Sequence, residues 1–303
     1  MGFLNEYESQ VLHDETATSA SRHLLVYFLT GNPGVTHFYK PFLETLLDLH
    51  SRDPQGVPHT ALHIYSTSLA GFETDRTTNP KFVAKHGQGP YSVEQEVDFI
   101  DTAIDDAHSD LSQHLGEVAG KDLRVVLIGH SLGTYMALEV LARRKRAQSP
   151  IKIISAILLC PTIMNLAGSP NGTSLLGTFL SSRFATSLVP SLTKLIFALP
   201  PSGLMQTIIQ RVSGQETTMA KVTSDFLKSP SGFQQTLYLA QDELVVISTD
   251  KWDDEIWGIV KADAAGSKTK TKMFLYFLDE DTWIANETRD QIIAARASTG
   301  KVA

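Results

Sequence analysis

Short apolar runs alternate with longer amphipathic segments along this chain. A short apolar run bounded by turn residues is typical of a strand that is buried on both faces of a sheet. Apolar residues at helical spacing are typical of helices that cover such a sheet. The pattern therefore predicts an α/β fold with a mainly parallel sheet and helices on both faces. The predicted strands are His23–Leu29, Thr60–Ser66, Leu123–Gly129, Ile151–Pro161 and Met273–Leu278, and the predicted helices are Ser92–Leu115, Ser131–Arg146 and one that begins at Asn286.

The alternation of strands and helices breaks after Pro161. Residues 162–258 have a helical and loop-like pattern that several prolines interrupt, among them the pair Pro200-Pro201. We interpret this region as a helical cap inserted between two core strands. The cap divides the chain into a first core part (1–161), the cap (162–258) and a second, incomplete core part (259–303).

Charge is spread unevenly along the chain, whose formal net charge is −7. No Asp or Glu occurs between Val140 and Gln215, whereas eight Lys and Arg do, four of them consecutive at 143–146. A segment this apolar and basic could face an anionic lipid surface. It could equally be an apolar lid over the protein's own pocket, and the same segment could have both roles. No window of 18 residues is apolar without interruption, which argues against a simple transmembrane span.

The composition excludes several classes of function. The single cysteine, Cys160, rules out an internal disulfide and fits a reducing compartment; we expect a buried thiol at the end of a strand. Arginines do not alternate with aromatic residues, so no nucleic-acid partner is expected. Neither metal-ligand spacing nor a nucleotide-binding glycine loop occurs, so we expect no metal and no cofactor. The acidic N-terminus lacks the basic start of a secretory signal peptide.

The motif Gly129-His-Ser-Leu-Gly133 has the G-x-S-x-G form of a serine-hydrolase nucleophile turn. Such a turn needs a strand before it and a helix after it, so that the serine Oγ stands above the sheet. Both elements are predicted here, which makes Ser131 the candidate nucleophile. The glycines leave room for a strained turn, and the helix start at Leu132 offers an N–H group to a developing oxyanion.

Two further segments fit the same chemistry. "TGNPG" follows the first predicted strand, where a second oxyanion donor is expected. Because Pro33 has no N–H, the donor is the backbone of Asn32 or of Gly34, and we assign it to Asn32. The alternative is a turn whose residues are chosen for conformation alone. "LDEDTW" follows the last predicted strand, and Asp281, beside an apolar neighbour, is the candidate orienting acid rather than Asp279 or Glu280.

"GNPG", "GHSLGTYMALEVL", "CPTIMNLAGSPNG" and "FLDEDTWIANETRD" together resemble the lipid droplet-associated hydrolase family, as a fungal-type member. The resemblance runs from about His23 to the last residues. It implies an α/β-hydrolase fold with a helical cap, attachment to lipid droplets and to the cytosolic face of the endoplasmic reticulum, and action on lipid esters, including sterol esters. Carried over by motif, Ser131 is the nucleophile and Asp281 is the acid.

The catalytic base is missing from the sequence as it stands. Ten histidines occur, and none follows His130. The resemblance implies a histidine beyond residue 303, after a further strand and before a further helix. We expect either that the sequence is truncated or that it is a base-less member of the family. His130 is a poor substitute for the missing base because adjacent side chains at such a turn diverge. His37, which follows the turn at Asn32, could come near the pocket and is the other alternative.

Two functions from different classes therefore remain open. The first is a serine ester hydrolase that acts on lipid esters at a droplet surface through an acyl-enzyme. The second is a non-catalytic adaptor that binds lipid droplets through the same apolar and basic cap. A dehalogenase is disfavoured because such enzymes usually carry a carboxylate at the position of Ser131.

Overall fold

The computed structural model describes residues 3–14, 22–52, 60–75, 78–120, 122–174, 177–178, 182, 196–197, 199–258 and 271–296. Its centre is a six-stranded sheet in the order β1-β3-β2-β4-β5-β6. The edge strand β1 is antiparallel to β3, and the other neighbouring strands are parallel. The strands are β1 Ser9–His13, β2 Arg22–Leu29, β3 Thr60–Thr67, β4 Arg124–His130, β5 Lys152–Leu159 and β6 Lys272–Tyr276.

Helices cover both faces of this sheet. They are α1 Phe3–Glu6, α2 Lys40–Arg52, α3 Pro80–His86, α4 Val93–Gly120, α5 Leu132–Arg146, α6 Pro170–Thr173, α7 Ser202–Ser213, α8 Thr217–Lys228, α9 Gly232–Val246 and α10 Asn286–Arg296. All five predicted strands and all three predicted helices are present, which confirms the predicted α/β architecture. The predicted boundaries differ from the observed ones by a few residues at most.

Elements without a continuous apolar pattern were not predicted. Every residue of β1 is only partly buried, because this strand lies at the edge of the sheet. Leu43 is the one fully buried residue of α2. The edge strand therefore lacks the alternation that a half-buried strand shows. Helix α2 does carry an apolar face, with Leu46 and Leu47 packed beside Leu43 against the sheet, and it was not predicted from that face.

The two faces of the sheet bury separate apolar cores. The larger core holds side chains of β2 and β4 together with α4 and α5, whereas the smaller core lies between the opposite sheet face and α2. Helix α4 begins with a capping box: the Ser92 N–H donates to Gln95 Oε1 (2.9 Å), and the Gln95 N–H donates to Ser92 Oγ (3.3 Å). These contacts fix the first turn of α4, which packs in the larger core together with α5.

The four consecutive basic residues at 143–146 lie at the end of α5. Arg143 pairs with Glu94 and Asp98, Arg144 pairs with Asp101 and Asp105, and Lys145 pairs with Asp253 and Glu255. Three of the four charges are thus neutralised by carboxylates of the protein itself. These ion pairs do not support the expectation that this cluster adds to a lipid-facing basic surface. The sequence alone could not show the carboxylates, because they lie far away along the chain.

Helices α6 to α9 fall in the region interpreted as a cap. Helix α9 is tied to the first core part: Gln235 accepts from the Tyr91 N–H (2.7 Å) and donates to the Tyr91 carbonyl (2.7 Å). Leu239 on the same helix belongs to the larger core. Within the described ranges, no helix is both long and apolar enough to span a membrane.

Candidate active site

The turn between β4 and α5 has the geometry of a nucleophile elbow. Ser131 adopts φ 53° and ψ −121°, a left-handed backbone conformation that costs energy in a residue other than glycine. The Ser131 N–H donates to the Leu159 carbonyl at the end of β5 (3.0 Å), and its carbonyl accepts from the Thr134 N–H (2.8 Å). The strained turn is thus held from both sides, and it places Ser131 at the carboxyl edge of the central strand.

Both glycines of the motif are required by close backbone contacts. A Cβ on Gly129 would lie 2.5 Å from the Gly133 carbonyl oxygen. A Cβ on Gly133 would lie 2.2 Å from the Leu29 carbonyl oxygen. These spacings are shorter than any tolerated contact, so the motif is a structural requirement of the turn.

Two backbone donors stand at the places predicted for an oxyanion hole. Leu132 opens α5, where the first N–H groups of a helix have no acceptor within the helix. The Asn32 backbone N–H makes no hydrogen bond within the part of the chain that the structure describes. The turn at residues 30–34, which carries Asn32 and is called the oxyanion turn below, lies against the elbow. A Cβ on Gly31 would lie 3.1 Å from Ser131 Cβ. The arrangement fits the predicted roles of Leu132 and Asn32, which stay predictions.

The Asn32 side chain ties the oxyanion turn to helix α9. Its Nδ2 donates to the Thr236 carbonyl (3.1 Å) and to Glu243 Oε1 (2.9 Å). Burial raises the pKa of Glu243, the hydrogen bond from Asn32 lowers it and the charge of Asp242 raises it, which together place this pKa at about 8. Glu243 is therefore uncharged at neutral pH, so no buried negative charge lies beside the place where an oxyanion would form.

Asp281 follows β6 at the same edge of the sheet. Its Oδ1 accepts from the Trp283 N–H (2.7 Å), which fixes the carboxylate in its turn. Burial lowers the pKa of His130, and the Asp281 charge opposes that change. Burial also raises the pKa of the Cys160 thiol, and the Asp281 charge adds to it. Asp281 therefore acts on groups at the ends of β4 and β5, close to Ser131.

Within the described part of the chain, no base is paired with the candidate nucleophile. Ser131 Oγ makes no hydrogen bond within the described residues. His130 Nδ1 is engaged by the Tyr39 hydroxyl (3.0 Å), and His37 Nδ1 lies 3.4 Å from Glu8 Oε1. Neither histidine therefore serves Ser131 in this arrangement.

Four other histidines gather far from this edge. His63 on β3 contacts His13 Nδ1 through its Nδ1 (2.9 Å) and His23 Nδ1 through its Nε2 (3.0 Å), and His114 stacks on His13. They lie toward the amino ends of β2 and β3, whereas Ser131 follows the carboxyl end of β4. Among the described residues, no group of three or more His, Cys, Asp or Glu side chains is arranged to hold a metal ion.

Sequence reasoning missed several polar groups of the site. Glu243 lies 211 residues from its partner Asn32, and the Tyr39 hydroxyl contacts both the oxyanion turn and His130. Thr30 Oγ1 and Thr162 Oγ1, which follow β2 and β5, are buried without a hydrogen-bond partner. Tyr39 lies in "GNPGVTHFY", close to the predicted turn at Asn32, and this closeness in sequence is the signal that could have pointed to it.

The sequence profile of lipid-droplet associated hydrolases matches residues 22–302. The chain belongs to this family. The resemblance stated from the motifs is thereby confirmed.

Individual relatives are lipid droplet-associated hydrolases by name. The mouse lipid droplet-associated hydrolase is 30% identical over 236 residues, which are 77% of this chain and 65% of the mouse protein. The rat protein is 27% identical over 276 residues, which are 90% of this chain and 74% of the rat protein. The matched region thus spans less than two thirds of the mouse relative.

Solved structures agree on the fold of this family member. The peroxisomal alpha-beta-hydrolase Lpx1 from Saccharomyces cerevisiae superposes with a TM-score of 0.53 at 13% sequence identity, covering 96% of this chain and 80% of the yeast chain. At that identity the likeness concerns the fold alone. The predicted α/β-hydrolase fold is confirmed.

Proposed function

We propose that this protein is a serine ester hydrolase that acts on lipid esters, sterol esters among them, at the surface of lipid droplets or of the endoplasmic reticulum. Ser131 is the nucleophile, Asp281 orients the base, and the N–H groups of Asn32 and Leu132 bind the oxyanion. The single observation that carries the proposal is the elbow at Ser131, whose positive φ stores strain in a turn with free N–H donors beside it.

The proposed reaction proceeds by acyl transfer in two steps. Ser131 Oγ gives its proton to a base and bonds to the carbonyl carbon of the ester, and the leaving alcohol departs with a proton. Water then attacks the acyl-serine, which releases the fatty acid and restores the serine hydroxyl. The two N–H groups stabilise the negative oxygen in both steps.

A second function is favoured by Ser131 Oγ, which has no hydrogen-bond partner among the residues that the structure describes. Without a base, serine is a poor nucleophile at neutral pH. The chain would then serve as a non-catalytic adaptor that binds lipid through its cap.

A fluorophosphonate probe distinguishes the two functions. We expect labelling at Ser131 that is slow in buffer and at least about 10-fold faster with added imidazole, because free imidazole can supply the base that the described residues do not. Mass spectrometry of the labelled peptide identifies the modified residue. Ser131→Ala should remove the label, whereas Ser51→Ala, an exposed serine on α2, should keep it. Absence of labelling with and without imidazole would favour the adaptor.

We place the lipid-binding surface of the cap on helix α7. Leu204, Ile208 and Val212 recur at intervals of four residues and are 54%, 45% and 84% exposed, while Met205 and Ile209 on the other side are buried. Arg211 lies in the last turn of the same helix, and the helix contains no carboxylate. An apolar stripe beside a positive charge is suited to the interface of an anionic lipid layer.

Replacing Leu204, Ile208 and Val212 by serine should weaken binding to phospholipid vesicles about 100-fold, since each side chain loses roughly 1 kcal/mol of apolar burial. Co-flotation with vesicles, with and without anionic phospholipid, measures the affinity. Leu49→Ser is the matched control, because Leu49 is an exposed leucine on α2, outside this stripe. Equal binding by the triple variant and the wild type would remove α7 from the lipid-binding surface.

A further inference from the structure

The Tyr39 hydroxyl bridges the oxyanion turn and the nucleophile elbow. It accepts a hydrogen bond from the Gly31 N–H (3.1 Å) and lies 3.0 Å from His130 Nδ1. A phenol has one proton. Among the described residues, the Tyr39 hydroxyl has no partner other than the Gly31 N–H, which is a donor, and His130 Nδ1, so the phenol proton is the one that joins Tyr39 to His130. His130 therefore accepts through Nδ1 and carries its own proton on Nε2.

Neither partner of this bridge changes charge readily near neutral pH. Burial raises the pKa of Tyr39 to about 12, with a further contribution from Cys160, while the hydrogen bond from Gly31 opposes the change. Burial lowers the pKa of His130, so the imidazole is neutral at pH 7, although the Asp281 charge opposes the shift. The charges that act on the pKa values of this pair belong to Cys160 at the end of β5 and to Asp281 after β6. Both the donor and the acceptor state are maintained.

Packing leaves the bridge little freedom to move. The Tyr39 ring lies against Phe28 (4.7 Å between centroids) and against His130 (5.6 Å). A Cβ on Gly31 would lie 3.1 Å from Ser131 Cβ and 3.2 Å from His130 Nδ1. Gly31 therefore lies close against His130 and Ser131, and the Tyr39 hydroxyl is in polar contact with both the Gly31 N–H and His130.

We propose that Tyr39 is a positioning residue, which holds the Gly31-Asn32 turn and fixes the His130 tautomer so that the oxyanion donors keep their place relative to Ser131. This inference rests on the proposed role of Ser131 as a nucleophile. Tyr39 does not touch the reacting atoms; it acts through the Gly31 N–H and His130. Loss of its hydroxyl leaves one buried donor without an acceptor and one imidazole nitrogen without a donor.

The bridge is tested by comparing Tyr39→Phe with Tyr27→Phe. The control removes a buried tyrosine hydroxyl that pairs with Thr67 Oγ1 instead (2.9 Å). Amide exchange should be about 10-fold faster at Gly31 in Tyr39→Phe and unchanged there in Tyr27→Phe. Nitrogen-15 spectra of the histidine side chains report the tautomer, and His130→Gln identifies the His130 signals. In the wild type, His130 should carry its proton on Nε2. The Nδ1 signal should shift in Tyr39→Phe and stay unchanged in Tyr27→Phe.

The consequence for chemistry is tested by fluorophosphonate labelling in the presence of imidazole. Tyr39→Phe should lower the rate constant at saturating probe by about 10- to 100-fold with little change in the half-saturating concentration, because positioning is lost while the pocket remains. Tyr27→Phe should label like the wild type. An unchanged rate constant in Tyr39→Phe, an unchanged Gly31 exchange rate, or a proton on His130 Nδ1 would each overturn the proposal. A wild type without any label refutes the proposed hydrolase instead, since the exchange and nitrogen-15 results do not depend on turnover.

Discussion

Replacing Gly133 by alanine is expected to abolish labelling of Ser131 and to lower the free energy of unfolding by about 3 kcal/mol or more. The added Cβ would lie 2.2 Å from the Leu29 carbonyl oxygen and 2.8 Å from the Thr30 carbonyl oxygen. Both are backbone atoms of the neighbouring strand and its turn, so no side-chain rotation can relieve the contact. The elbow and the oxyanion turn must therefore move apart, which separates Ser131 from its predicted donors.

Urea unfolding of the wild type and of Gly133→Ala measures the loss in the free energy of unfolding. The matched control is Gly203→Ala. Gly203 lies within α7, and a Cβ there meets no atom within 4 Å. Alanine at that helical position should stabilise the protein by up to about 1 kcal/mol. If Gly133→Ala unfolds at the same urea concentration as the wild type and still labels, the close packing of the elbow on β2 is wrong.

The sequence predicted the elbow because its constraints are local. A strand, a G-x-S-x-G motif and a helix follow one another within Leu123–Arg146, and the contacts at Gly129 and Gly133 come from this turn and the adjacent strand. The same reasoning applies to the turn at Asn32, which directly follows β2. Patterns of this kind depend on backbone geometry, so a single sequence suffices to recognise them.

Contacts between distant segments were beyond the reach of the sequence. The acid-free interval 140–215 contains Arg143 and Arg144, whose partners Asp98 and Asp101 lie more than 40 residues away on α4. From the sequence, their charges therefore predict a basic surface, although in the folded protein they form ion pairs with these carboxylates. Pairing of this kind depends on how α4 and α5 pack, and helix periodicity does not specify which carboxylates face which guanidinium groups.

The position of α9 has a similar consequence. The sequence pattern assigns it to a cap, yet the structure ties it to the core through Gln235 and to the oxyanion turn through Glu243. The part of the cap region that contacts the site is thus a fixed support for Asn32, whereas the exposed apolar stripe lies on α7. Substrate access and lipid binding are therefore expected to involve α7, and oxyanion geometry is expected to depend on α9.

Glu243→Gln is expected to raise the free energy of unfolding above pH 8 by about 4 kcal/mol relative to the wild type. The unfolded chain loses the Glu243 proton near the ordinary value of 4.5, whereas the folded protein holds it to about 8. Between these values the unfolded state binds fewer protons than the folded state. The stability of the wild type therefore falls as pH rises from about 4.5 to about 8, and glutamine removes this loss because it stays neutral and still accepts from Asn32.

Urea unfolding between pH 5 and pH 9 tests this expectation, and labelling over the same range tests its consequence for the site. Ionised Glu243 would place a negative charge beside the Asn32 turn, so the wild-type rate should fall above pH 8 more steeply than that of Glu243→Gln. Glu280→Gln removes an exposed carboxylate after β6 and should leave the pH dependence of stability unchanged. Parallel stability curves for Glu243→Gln and the wild type would mean that Glu243 is ionised in the folded protein, and a buried charge would then oppose any oxyanion at this turn.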